Sequence, residues 1–124
     1  MASDPVQRYV LQILNQAAHD GADEIIVERT RTFIPHIDPV EQARNEEWTV
    51  VIRYKVSGVY YDFASMPVQV RMGFINKLFE LANVPEDSAF PKAGIIEHKV
   101  SGLPNRWELF MENACDSCVL RLSE

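Results

Sequence analysis

Apolar residues recur at helical spacing near the N-terminus, where Val6, Tyr9, Val10, Ile13, Leu14, Ala17 and Ala18 fall on one face of a predicted helix. Asp4 before Pro5 suits an N-cap followed by the first helical position, and Gly21 is placed to end the helix. The period then changes to two. Glu24–Glu28 reads as a short strand. In Trp48–Val56, the strongest strand of the chain, Trp48, Val50, Ile52, Tyr54 and Val56 alternate with Thr49, Val51, Arg53 and Lys55. Ser57-Gly58 supplies a tight turn, and Val59–Phe63 returns as the hairpin partner.

The second half repeats the plan. Ser65-Met66-Pro67 reads as the start of a second helix, with Val68, Met72, Ile75, Leu78, Phe79 and Ala82 as its apolar stripe and Pro85 as its end. Strands follow at Gly94–Val100, Arg106–Glu112 and Val119–Leu122, the first two joined by a turn over 101–105. Residues 29–47 hold Pro35, Pro39 and a polar run from Glu41 to Glu47, and are expected to form an irregular, mobile loop. The order α-β-β-β-α-β-β-β predicts an α+β fold: an antiparallel sheet of about five to six strands, covered on one face by two main helices. The length of 124 residues fits a single domain over 1–124.

Charge narrows the function classes. Eighteen acidic residues against twelve basic ones give a formal net charge of −6, and no Lys/Arg block offsets it locally. Such a field repels phosphate backbones and argues against nucleic-acid binding. No apolar run approaches the ~18 residues of a membrane span, so no membrane insertion is expected. Met-Ala-Ser-Asp-Pro lacks the charged and apolar regions of a signal peptide, which makes cytoplasmic residence the default expectation.

Candidate chemistry is sparse. Cys115 and Cys118 form a lone C-x-x-C that runs into a predicted strand. A redox pair needs its first Cys at a helix N-terminus, where the dipole lowers the thiol pKa. A structural zinc needs four ligands, and His19, His36 and His98 all lie far off in sequence. The pair therefore reads as two reduced thiols. His19 falls at a helix C-terminus, which favours an imidazolium. The glycines are isolated, so there is no phosphate loop, and Ser57 sits in a hairpin turn, not a nucleophile elbow. Glu46-Glu47 and Glu86-Asp87 read as solvated loop charges. No cofactor is implied and no catalysis is expected.

Several short strings, in order, resemble the domain that precedes the motor in type II secretion and type IV pilus-assembly ATPases. Ala22–Arg29 stands where that family has A-S-D-I-H-I-E-P, and Ile52–Gly58 where it has V-R-F-R-x-D-G. Asn76–Ala82 ends the second helix as the family does. Pro91–Ile96 replaces P-Q-D-G-R-I, Glu108–Glu112 replaces D-L-R-V-S, and Val119–Leu122 replaces V-V-L-R-L-L. The resemblance spans nearly the whole chain and implies a PAS-like α+β module.

The departures carry the functional expectation. In that family the arginines of the third and fourth strings face nucleotide phosphates, which a guanidinium fork suits. Here those positions are Ile95 and Phe110, which offer no donor; Lys92 and Ala93 replace the Gln and Asp, Ile26 the His, and Ser57 the turn Asp. Arg53 and Lys55 remain from the second string. The resemblance thus implies a degenerate copy that has lost nucleotide binding. The resulting expectation is a non-catalytic binding or scaffolding module that engages a protein partner or itself. Its candidate face is Ile26, Arg53, Lys55, Ile95 and Phe110. The alternatives are a small acidic secretion-type chaperone and a PAS-like small-ligand sensor.

Overall fold

The computed structural model describes residues 5–31, 48–100, 103–113 and 117–123. The elements are α1 (Pro5–His19), β1 (Glu24–Arg31), β2 (Trp48–Val56), β3 (Val59–Pro67), a 3-10 turn (Val68–Val70), α2 (Arg71–Leu81), β4 (Lys92–Val100), β5 (Leu103–Met111) and β6 (Cys118–Ser123). The six strands form one sheet in the order β3-β2-β1-β6-β5-β4, with every neighbouring pair antiparallel. Each half of the chain supplies a three-stranded meander, and the first and last strands join the two halves at the centre.

The expected α+β class, antiparallel sheet and two main helices are what the described residues contain. Period-two alternation places Ile25, Val27, Val50, Ile52, Trp107, Leu109, Cys118 and Leu120 on the inner face, each at or below 1% exposure. Over them lie Val10, Ile13, Leu14 and Ala17 of α1 and Phe74, Ile75, Leu78 and Phe79 of α2, in one continuous core. Tyr9 of α1 meets Phe74 of α2 edge to face at 5.8 Å. Each large apolar side chain buried this way contributes about 1.5–3 kcal/mol. No helix among the described residues is long and apolar enough to cross a membrane.

Several boundaries differ from the sequence reading. Strand β5 begins at Leu103, inside the expected turn over 101–105, because Leu103, Pro104 and Asn105 find ladder partners in Val100, Lys99 and His98. Three further differences change the elements more. First, β1 runs on through Arg29, Thr30 and Arg31, which pair with Val50, Thr49 and Trp48; a long partner strand extends a ladder that the local sequence did not announce. The remainder of the predicted loop, 32–47, lies outside the described residues. Second, Ser65, Met66 and Pro67 continue β3 instead of starting a helix. Val51, Val50 and Thr49 offer them backbone partners, and Pro67, which has no N–H, closes an edge strand at low cost. Third, α2 begins at Arg71 and ends at Leu81, before Pro85, with Asn83 left-handed at φ 60°. Its stripe shifts accordingly: Phe74 is buried, while Met72 is 39% exposed.

Two local devices hold the layers in place. The Tyr54 hydroxyl and Gln16 Nε2 both donate to Asp20 Oδ2 at 3.0 Å, tying the end of α1 to β2. Those hydrogen bonds, Gln16 first, hold the Asp20 carboxyl below its ordinary range. Burial, followed by the bond to Asp20, raises the Tyr54 phenol. Gly94 lets β4 pass beneath the end of α2, since a Cβ there would stand 2.7 Å from Val84 Cγ2 and 2.9 Å from Ala82 Cβ. The Ser57-Gly58 turn has positive φ at both residues (51° and 83°), as a tight hairpin turn requires.

Candidate functional site: the open face of the sheet

Both helices pack on one face of the sheet, and among the described residues no element packs on the other. The candidate residues Ile26, Arg53, Lys55, Ile95 and Phe110 all fall on that open face, because each alternates with inward neighbours such as Ile25, Ile52, Ile96 and Leu109. Ile95 is 38% and Phe110 45% exposed. Ile95 stands opposite Glu108, and Ala93 opposite Phe110, so Ile95 and Phe110 are diagonal neighbours on one hairpin. Such neighbours are about 7–8 Å apart, within reach of an aromatic side chain.

The registers align these residues into rows that cross the whole sheet. One row reads Asp62, Arg53, Ile26, Val119, Phe110, Ala93 from β3 to β4. Four consecutive apolar side chains form its central and β4-side portion. Its β3 side is polar: Arg53 pairs with Glu28 and with Asp62, the latter at 2.7 Å. A hollow of about 520 Å³ opens here, lined by Ile26, Glu28, Arg53, Tyr60 and Asp62.

The adjacent row reads Tyr60, Lys55, Glu24, Arg121, Glu108, Ile95. Its four charges alternate in sign across four strands. The Tyr60 hydroxyl donates to Glu24 at 2.8 Å, which raises the phenol above its ordinary range. Arg121 lies 3.8 Å from Glu24, and Lys55 Nζ sits 5.6 Å from the Tyr60 ring centroid. Lys55 and Glu108 make no ion pair among the described residues. With Arg106 and Glu97 paired beyond them at 4.0 Å, the face carries both signs in near balance, on a chain of formal charge −6.

Sequence reasoning missed Glu24, Arg121, Glu108 and Val119, which complete these rows. Period-two alternation was the available signal, since it marks each of them as opposite in direction to a buried neighbour. The registers that align them were not readable from the strands singly.

The other predicted positions carry no comparable arrangement. Cys118 is a free thiol, pushed up to about 12 by burial, with the positive charge of Arg71 opposing in part. Such a group is a poor nucleophile. Cys115, His36, Glu46 and Glu47 lie outside the described residues, and His98 takes its place in β4. His19 is exposed at the end of α1. Lys92 turns inward, 6% exposed, with Nζ donating to the Glu86 carbonyl at 2.9 Å and lying 4.9 Å from the Phe90 ring centroid. Among the described residues no three His, Cys, Asp or Glu side chains converge as metal ligands. An apolar cavity of about 330 Å³ lies between α1, β3 and α2, lined by Tyr9, Met66, Val70 and Phe74 among others.

No protein-family model matches this chain, and no curated protein matches it.

Proposed function

We propose that the chain is a non-catalytic binding module that makes its contact through the open face of the sheet, with a protein partner or with itself. The observation that carries this reading is the row Ile26–Val119–Phe110–Ala93, a line of apolar side chains on a face that none of the described elements covers, bordered by charges. Exposed apolar surface rimmed by polar groups is typical of interaction sites. The kinship proposed is with the pre-motor domain of secretion and pilus ATPases, supported by the six ordered strings. Ile95 and Phe110, diagonal neighbours on one hairpin, offer a phosphate no donor.

Photo-cross-linking tests the surface. With benzoylphenylalanine at Phe110 or Ile26, irradiation in cells should give protein adducts that are absent when the probe replaces Gln12 on the exposed side of α1. Equal yields from both sides would sink the reading. Calorimetric titration with ATP should give no heat; micromolar binding would overturn the account of Ile95 and Phe110.

The apolar cavity beside Tyr9 and Phe74 favours a second reading, a sensor for a small apolar ligand. That reading requires saturable binding of such a ligand that is lost when Val70 is replaced by Trp to fill the space.

A further inference from the structure

We propose that the open face binds a second copy of this chain, the two sheets stacking about a two-fold axis parallel to the strands and passing between β1 and β6. This rests on the reading of the face as a contact surface and names its occupant. The argument is charge complementarity. Such an axis reverses the strand order on the second sheet, so the row Tyr60, Lys55, Glu24, Arg121, Glu108, Ile95 meets its own reverse. Lys55 then faces Glu108, Glu24 faces Arg121, and Tyr60 covers Ile95, each contact made twice. All four charges meet the opposite sign.

The match is specific to this placement. Displaced by one strand, the rows set Lys55 against Arg121, or Glu24 against Glu108. An axis running across the strands through this row would set every charge against itself. Lys55 and Glu108, the two ladder charges with no ion pair among the described residues, are the ones that acquire a partner. The neighbouring row agrees: Ile26 and Val119 face each other across the axis in both directions, and Arg53 comes over the ring of Phe110, a favourable cation–π placement.

Geometry permits the contact. Six strands at about 4.8 Å spacing and roughly 20–30 Å length present on the order of 600–800 Å² per copy, the size of a standard stable interface. Facing sheets pack about 10 Å apart and rotate by about 30°. Lys55 and Glu108 lie about 7 Å from the axis, so the rotation displaces them by only a few ångströms, within reach of two long side chains.

Sedimentation analysis of the whole chain over a range of concentrations and salt tests this, with circular dichroism confirming that each variant is folded. The expected result is a dimer that weakens as salt rises and that Phe110→Asp converts to monomer. Glu108→Lys and Lys55→Glu should each raise the dimer dissociation constant about tenfold, and the two together should restore it to within about threefold of wild type. A dimer unaffected by Phe110→Asp, or a double variant weaker than either single one, overturns the proposal. A monomeric wild type overturns it too. If the Phe110 photo-probe then still captures a different protein in cells, the contact surface stands without the self-pairing; with no adduct, both fall.

Discussion

Ile26 and Val119 stand directly opposite each other on the open face, and this β1–β6 pairing joins the N-terminal meander to the C-terminal one. One residue away, Ile25 stands opposite Leu120 on the inner face, where both are 1% exposed. The two cross-strand pairs are alike in chemistry and differ in what covers them.

That difference sets the first prediction. Ile25→Ala or Leu120→Ala should each cost about 2–5 kcal/mol, because each leaves a cavity in a packed core. In the dissociated monomer, at concentrations below the dimer dissociation constant, Ile26→Ala and Val119→Ala should each cost about 1 kcal/mol or less. Urea denaturation midpoints, read at unchanged slope, measure both. Equal losses at the two pairs would place the covered face on the wrong side.

Gly94 and Gly73 make an opposed pair. At Gly94 a methyl group collides with Val84 and Ala82, so Gly94→Ala should destabilise by about 1–3 kcal/mol. At Gly73, on the exposed side of α2, a Cβ meets nothing within 4 Å. Gly73→Ala should therefore stabilise by up to about 1 kcal/mol through helix propensity. Thermal unfolding of the two variants beside wild type gives the signs.

Stability should fall in alkali. The Cys118 thiol titrates at about 12 in the folded chain against an ordinary value of 9.0, and the Tyr54 and Tyr60 phenols are also raised. A raised pKa means that the unfolded chain loses its proton first, so stability is complete below the unfolded value and declines as pH climbs toward the folded one. The unfolding temperature should drop between pH 9 and 12, and less steeply in Cys118→Ala. In the native protein at neutral pH, Cys118 should resist thiol reagents until the chain unfolds.

Asp20 acts at the other end of the scale. Its lowered pKa contributes stability above the ordinary carboxylate range that is lost as pH falls through the folded value. Gln16→Ala and Tyr54→Phe remove the two donors, so each should lessen the acid-side loss. Melting temperatures from neutral pH to pH 3, wild type against variants, would show whether the slopes differ.

The amino-acid sequence by itself determined the elements and their faces. Helical spacing marked the core side of α1 from Val10 to Ala17, and alternation in β2 separated Val50 and Ile52 from Arg53 and Lys55. These are local properties, set by 3.6- and 2-residue periods. It misjudged β3 and the start of α2, where Ser65-Met66-Pro67 looks like a helix start in isolation but finds ladder partners in β2. Only the tertiary structure decided which strands are neighbours and in what register. Those pairings join residues as distant as Glu24 and Arg121, and no local period carries them. The candidate site lives at that level. Lys55, Glu24, Arg121 and Glu108 are ordinary surface charges along the chain, and they become an alternating row only when three registers align them.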